Sequence, residues 1–97
     1  MNLYLAQSDI LTFDDHLESL IPEQRDYIDQ LIDDERLIMY TVSADRTNWW
    51  CIIKAGSEKE AMDILEGMPI IEYLDPKIHE LMFLDLAEMQ LPRISLN

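Results

Sequence analysis

The chain has 97 residues, enough for one domain, and 48% of them are hydrophobic, so a full core can form. Twenty acidic residues against seven basic ones give a formal charge of −13, which would repel phosphate backbones and anionic lipids and argues against binding to nucleic acid or to membranes. One cysteine excludes an internal disulfide, and neither a membrane span nor a secretory signal is visible, so we expect a cytoplasmic protein.

A strand and a long helical stretch come first. Residues 2–7 alternate with apolar side chains on both faces, which predicts a strand covered on both sides. Apolar residues at helical spacing then continue to about Asp34, and Thr12 or Asp14 is the expected N-cap. Because Pro22 removes a backbone donor and clashes with the preceding turn, we expect a short helix, a break or kink, and a main helix starting at Pro22.

Two further strands, residues 36–43 and 49–55, are separated by a short turn and predict a hairpin. The expected pairs are Ser43 with Asn48, Thr41 with Trp50, Tyr40 with Cys51 and Ile38 with Ile53. The expected faces carry Leu37, Met39 and Trp50 on one side, and Ile38, Tyr40, Cys51 and Ile53 on the other.

The second helix has a clear start. Ser57 and Glu60 have the spacing of a capping box, in which the Ser57 hydroxyl accepts the Glu60 amide and the Glu60 carboxylate accepts the Ser57 amide. Gly67 and Pro69 end this helix, and residues 78–84 predict a last strand. The order β-α-β-β-α-β predicts an α+β, ferredoxin-like domain in which two helices cover one face of a four-stranded antiparallel sheet.

The uncovered face of such a sheet would also be apolar here, which predicts a homodimer formed by packing two sheets face to face. We assign residues 1–86 to the domain and residues 87–97 to a C-terminal tail. The tail lacks helical periodicity, so it is either a disordered terminus or a segment that crosses to the partner subunit.

The segment at residues 68–75, followed by residues 78–81, resembles the P-L-x-x-Y…L pattern of muconolactone isomerase-like proteins in the dimeric α+β barrel superfamily. The resemblance covers residues 10–84 and implies subunits that pair their sheets across a dimer, sometimes in larger rings. It also implies a small-molecule pocket between sheet and helices. Asp34 and Glu35 stand where a glycine is common, and residues 24–27 lack the histidine of some small enzymes, so no catalytic residue is transferred.

Two residues are candidates for acid–base chemistry. His79 could act as a general base if it faces a pocket, and a tyrosine such as Tyr40 is the second candidate; a surface histidine is the alternative for His79. His16 lies among acidic residues, but neighbours on a helix point in different directions, so we expect no metal site. Cys51 is expected to be a small buried hydrophobic residue.

The remaining aromatic residues suit a binding site, because tyrosine and tryptophan combine an apolar ring with a polar group. The candidates for ligand binding are Tyr4, Trp49, Trp50 and Tyr73, and the alternative is that they fill the core or the dimer interface. Two functions follow. One is an isomerase or lyase acting on a small cyclic apolar compound without metal or organic cofactor. The other is a non-catalytic homodimeric module that binds a small molecule or a protein.

Overall fold

The computed structural model describes residues 1–87, so residues 88–97 of the predicted tail lie outside the described part. The elements are β1 (Asn2–Asp9), α1 (Asp15–Asp33), β2 (Leu37–Val42), β3 (Asn48–Ala55), α2 (Glu58–Glu66), a 3-10 turn (Ile71–Tyr73) and β4 (Lys77–Leu81). They form one sheet of order β2-β3-β1-β4 in which every neighbouring pair is antiparallel. The predicted β-α-β-β-α-β order and ferredoxin-like α+β fold are confirmed.

The core lies between the sheet and the two helices. Alternate residues of β3 point into it, and Trp49, Cys51, Ile53 and Ala55 are all 0% exposed. They belong to one hydrophobic cluster with apolar residues of both helices: Leu17, Ile28, Leu31, Ala61, Ile64 and Leu65. We call the other side of the sheet, which carries Leu3, Leu5, Met39, Trp50, Ile52, His79 and Leu81, the open face.

The predicted break at Pro22 is wrong, since α1 runs through this residue as one helix. Pro22 cannot donate to the carbonyl four residues earlier, which costs a helix about 3 kcal/mol. Leu17 before the proline and Ile28 and Leu31 after it are buried on the same helix face. Burying each of these side chains contributes roughly 1.5–3 kcal/mol, which offsets the proline penalty. Asp14 is the N-cap, and its carboxylate accepts the Leu17 amide at 2.8 Å.

The predicted hairpin register holds near the turn and fails at the start of β2. Tyr40 pairs with Cys51 as expected, but a bulge shifts the register so that Leu37, and not Ile38, pairs with Ile53. Leu37 is 3% exposed, and Ile38 is 38% exposed. A one-residue shift moves side chains to the other face, so the predicted facing of Leu37 is wrong. With the bulge, the Leu37 side chain is buried in the core and the Ile38 side chain is partly exposed.

The ends of the molecule differ slightly from expectation. β4 stops at Leu81, before the predicted end at residue 84, and the following Met82 and Phe83 are 97% and 70% exposed. Within residues 1–87, no helix is both long and apolar enough to cross a membrane.

Candidate functional site

A cavity of about 420 Å³ lies between α1 and the edge strand β2. Ligand pockets in proteins typically enclose roughly 300–1,000 Å³, so a small molecule fits this space. Its lining combines apolar residues with a few polar ones. The lining residues are Ile21, Gln24, Arg25, Ile28, Asp29 and Ile32 of α1, and Ile38, Met39, Tyr40 and Val42 of β2.

The sequence positions these walls in a simple way. The lining residues of α1 recur at intervals of three and four, from Ile21 to Ile32, and therefore occupy one helix face. Opposite them, β2 is the edge strand of the sheet formed by the described residues. The bulge between Leu37 and Met39 disrupts the strand's pairing at the same place and leaves Ile38 partly exposed at the cavity.

A buried amide organises the polar side of the cavity. Gln24 is 2% exposed, and its Nε2 donates to Tyr40 Oη at 3.1 Å and contacts Met68 Sδ at 3.0 Å. Its Oε1 accepts a long hydrogen bond from the Ile70 amide at 3.4 Å. Gln24 thereby connects α1, β2 and the segment after α2. Since the Tyr40 oxygen accepts the amide proton, the hydroxyl proton remains available to a ligand.

The charge state of Tyr40 follows from this environment. Burial raises the pKa of its hydroxyl above the ordinary value of 10.0, and the hydrogen bond from Gln24 opposes part of that rise. Tyr40 is therefore protonated at neutral pH and acts as a hydrogen-bond donor. Cys51, its partner on β3, has a thiol whose pKa burial raises to about 12, which leaves it unreactive.

Two charged residues stand at the rim of the cavity. Arg25 and Asp29 are one helical turn apart on α1, and both are exposed. In the part of the chain that the structure describes, the ion pair within 4.0 Å is Lys59 with Asp63, so Arg25 and Asp29 are not paired with each other. A cation and a carboxylate therefore both lie at the cavity without a direct salt bridge between them.

The structure separates the residues predicted for the site. Tyr40 lines the cavity, and Trp49 packs edge-on against it, with ring centroids 5.9 Å apart and planes at 84°. Tyr4 is a core residue, 2% exposed, on the same side of the sheet. Trp50 and His79 lie on the open face, where His79 pairs with Leu5.

Tyr73 stands apart from the cavity, at the start of α1. Its Oη donates to Asp14 Oδ1 at 3.0 Å, and its ring centroid is 6.1 Å from that of His16. Residues 1–87 contain no group of three or more His, Cys, Asp or Glu side chains that could hold a metal ion.

Sequence reasoning missed Gln24, Arg25 and Asp29 as cavity residues. The available signal was their spacing, since three polar residues at positions i, i+1 and i+5 interrupt the apolar stripe that runs from Ile21 to Ile32. A polar residue inside a core-facing stripe indicates a partner within the fold, which here is Tyr40.

Comparison with known proteins identifies the fold. No protein-family model matches the sequence, and no curated protein matches it. The solved structure of muconolactone isomerase aligns with a TM-score of 0.64 at 14% identity, covering 94% of this chain and 99% of that one. The chain therefore shares the fold of this isomerase. The predicted resemblance is thus confirmed at the level of the fold.

A second solved structure agrees. It is 5-chloro-2-hydroxyhydroquinone dehydrochlorinase from Burkholderia phenoliruptrix AC1100, in complex with 2,5-dihydroxybenzoquinone. It aligns with a TM-score of 0.57 at 17% identity, covering 79% of this chain and 90% of that one. Both neighbours of the α+β barrel fold carry enzyme names, which is compatible with an enzyme on this scaffold.

Proposed function

We propose that the protein is a cofactor-independent enzyme of the isomerase or lyase type that acts on a small cyclic compound in the cavity between α1 and β2. The observation that carries the proposal is the Tyr40 hydroxyl, held by the buried Gln24 amide and presented to a mostly apolar space of about 420 Å³. Apolar walls with a few oriented polar groups are typical of small-molecule sites. The two enzymes with this fold support the choice by analogy.

The charged rim suggests how an isomerisation would proceed. A base takes a proton from the carbon next to a ring carbonyl, the electron pair moves to the carbonyl oxygen as an enolate, and the proton returns to another carbon. Asp29 is the carboxylate of the cavity wall and is the proposed base. Arg25 lies on the same helix and supplies positive charge as the enolate forms.

The earlier candidate His79 belongs to a different surface. It lies on the open face, on the other side of the sheet from Tyr40, so the two residues of one subunit do not share a site. The catalytic role of His79 and the ligand-binding roles of Tyr4, Trp50 and Tyr73 remain predictions, and none of these residues lines this cavity. Trp49, the other predicted ligand-binding residue, packs against Tyr40.

A ligand screen tests the proposal. Thermal shifts are recorded with unsaturated lactones, quinones and small aromatic acids, and binders are then assayed for turnover. A ligand at a hundred times its Kd should stabilise the protein by about 2.7 kcal/mol. We expect Tyr40→Phe to weaken the shift, Asp29→Asn to abolish turnover with binding retained, and His79→Ala to change neither. A screen in which no compound stabilises the protein would contradict the proposal.

The open face supports a second part of the proposal, a homodimer. Leu5, Met39, Trp50 and Ile52 lie on this face across three strands, and within residues 1–87 none of them belongs to the hydrophobic cluster under the helices. We propose that a second copy covers this face, with residues 1–86 as the domain and residues 87–97 as a tail that crosses to the partner.

Light scattering tests the dimer. Wild type and Gln30→Glu, which adds a charge to the exposed surface of α1, should have the mass of a dimer. Leu5→Glu should be a monomer, because the added charge would be buried between two sheets. Removal of residues 87–97 should weaken association. A wild-type monomer would contradict this part of the proposal. A dimer that binds ligands without turnover would favour the non-catalytic module, because dimer formation through the open face and ligand binding do not require catalysis.

A further inference from the structure

Gln24 and Trp49 both contact Tyr40. Gln24 Nε2 donates to the Tyr40 hydroxyl oxygen at 3.1 Å. The Trp49 indole meets the Tyr40 ring edge-on, and Trp49 Nε1 is fully buried without a hydrogen-bond partner among the described residues. Buried donors without an acceptor are rare in proteins and call for an explanation.

Burial and neighbouring side chains set the charge state of the Tyr40 hydroxyl. Burial raises the pKa of Tyr40, and the Gln24 amide and then the Trp49 indole oppose that rise. The Trp49 ring packs edge-on against the Tyr40 ring, which restricts the movement of Tyr40. The Gln24 N–H donates to the hydroxyl oxygen, so the hydroxyl proton is directed away from Gln24, and the O–H bond becomes a stronger donor.

The groups around the Tyr40 hydroxyl limit the chemistry of the ligand that it can bind. The other titratable groups near it are Arg25 and Asp29 on α1 and the Cys51 thiol on β3. The net charge of −13 disfavours a ligand that arrives as an anion, whereas the donors at Tyr40 favour negative charge on one ligand oxygen. Both conditions are met by a neutral ring carbonyl that becomes an oxyanion during the reaction.

We propose that Tyr40 donates a hydrogen bond to the oxygen that gains negative charge in a cyclic enone, ketone or lactone, and that Gln24 and Trp49 are positioning residues for this donor. The inference rests on the proposed function, and it replaces the predicted acid–base role of Tyr40 with stabilisation of an enolate. No proton leaves Tyr40, so the proton balance of the isomerisation is unchanged.

The test compares two probes that share a nitrophenyl ring and differ in the charge on the second substituent. At a pH above the pKa of para-nitrophenol, para-nitrophenolate carries an oxyanion on the ring, and para-nitroanisole is its uncharged methyl ether. Dissociation constants are measured by absorbance for wild type, Tyr40→Phe, Gln24→Leu and Arg25→Gln. A hydrogen bond to a charged group predicts that wild type binds the phenolate roughly tenfold or more tightly than the ether.

The variants then assign the preference. In Tyr40→Phe, the dissociation constants of the phenolate and the ether should become similar, with the binding of the ether unchanged. Gln24→Leu should lose part of the preference for the phenolate. The phenolate band should shift to shorter wavelength on binding to wild type, because the donor stabilises its charge, and the shift should be smaller in Gln24→Leu. A residue with a merely structural role would not change this shift.

Three results would overturn the inference or its basis. Equal binding of both probes to wild type would refute the donor role while leaving the cavity intact. Loss of the preference in Arg25→Gln, with its retention in Tyr40→Phe, would assign recognition to Arg25 instead. Failure of both probes to bind would refute the proposed function itself.

Discussion

Gln24→Leu should destabilise the protein mainly through the loss of one hydrogen bond, which joins the Ile70 amide to Gln24 Oε1. The Ile70 amide is buried and would lose its bond to Gln24 Oε1, and an unsatisfied buried N–H costs about 1–3 kcal/mol. Tyr40 opens onto the cavity, where water can replace the amide, and Met68 Sδ is a weak acceptor. Because the Ile70 bond is long, we expect the lower half of this range, about 1–2 kcal/mol.

Thermal and urea unfolding followed by circular dichroism measure this cost. For a domain of this size, a loss of about 1–2 kcal/mol lowers Tm by roughly 4–16 °C. The variant should still fold, since small domains have about 5–15 kcal/mol of stability. Gln30→Leu on the same helix is the control, because Gln30 is exposed and its change should stay within about 0.5 kcal/mol. If the two variants unfold alike, the account of Gln24 as a buried link is refuted.

Three further predictions concern other parts of the fold. Glu35 has a φ of 59° where α1 ends, so Glu35→Gly should raise stability in urea unfolding by up to about 1 kcal/mol, and a loss would contradict this assignment. A Cβ at Gly67 would collide with the Tyr27 hydroxyl, so Gly67→Ala should cost less stability in a Tyr27→Phe background than in wild type; additive effects would rule out the collision. Cys51, with a pKa of about 12, should resist thiol reagents in the folded protein and react after unfolding, and rapid labelling of the native state would show that its thiol is accessible.

Local signals in the sequence were sufficient for much of the fold. Strand β3 follows from a short apolar run, and α2 follows from Ser57, whose hydroxyl accepts the Glu60 amide at 3.1 Å. The reciprocal bond differs, because Glu60 accepts the Gly56 amide at 2.6 Å and not that of Ser57. Such details depend on where the preceding chain turns, and the spacing of a motif does not contain that information.

Tertiary contacts decided what the sequence could not. Pro22 was expected to end a helix on local grounds, but burial on both sides of it holds α1 together. The bulge between Leu37 and Met39 likewise goes together with the burial of Leu37 in the core, and no turn residue in the sequence predicts it.

The site was predictable only in part, for the same reason. Tyr40 was identified from the chemistry of its side chain, whereas Gln24 acts through a partner 16 positions away. The separation of His79 from Tyr40 follows from sheet pairing, which places β4 at the edge opposite β2.

The central claim is that the cavity between α1 and β2 binds a small cyclic compound at Tyr40. Amide chemical-shift mapping of the labelled protein during titration with a neutral cyclic enone such as cyclohexenone tests it most directly. The account predicts saturable shifts clustered at residues 21–32 and 38–42, weakened in Tyr40→Phe and retained in His79→Ala. Shifts clustered instead around Leu5 and His79 on the open face would contradict it.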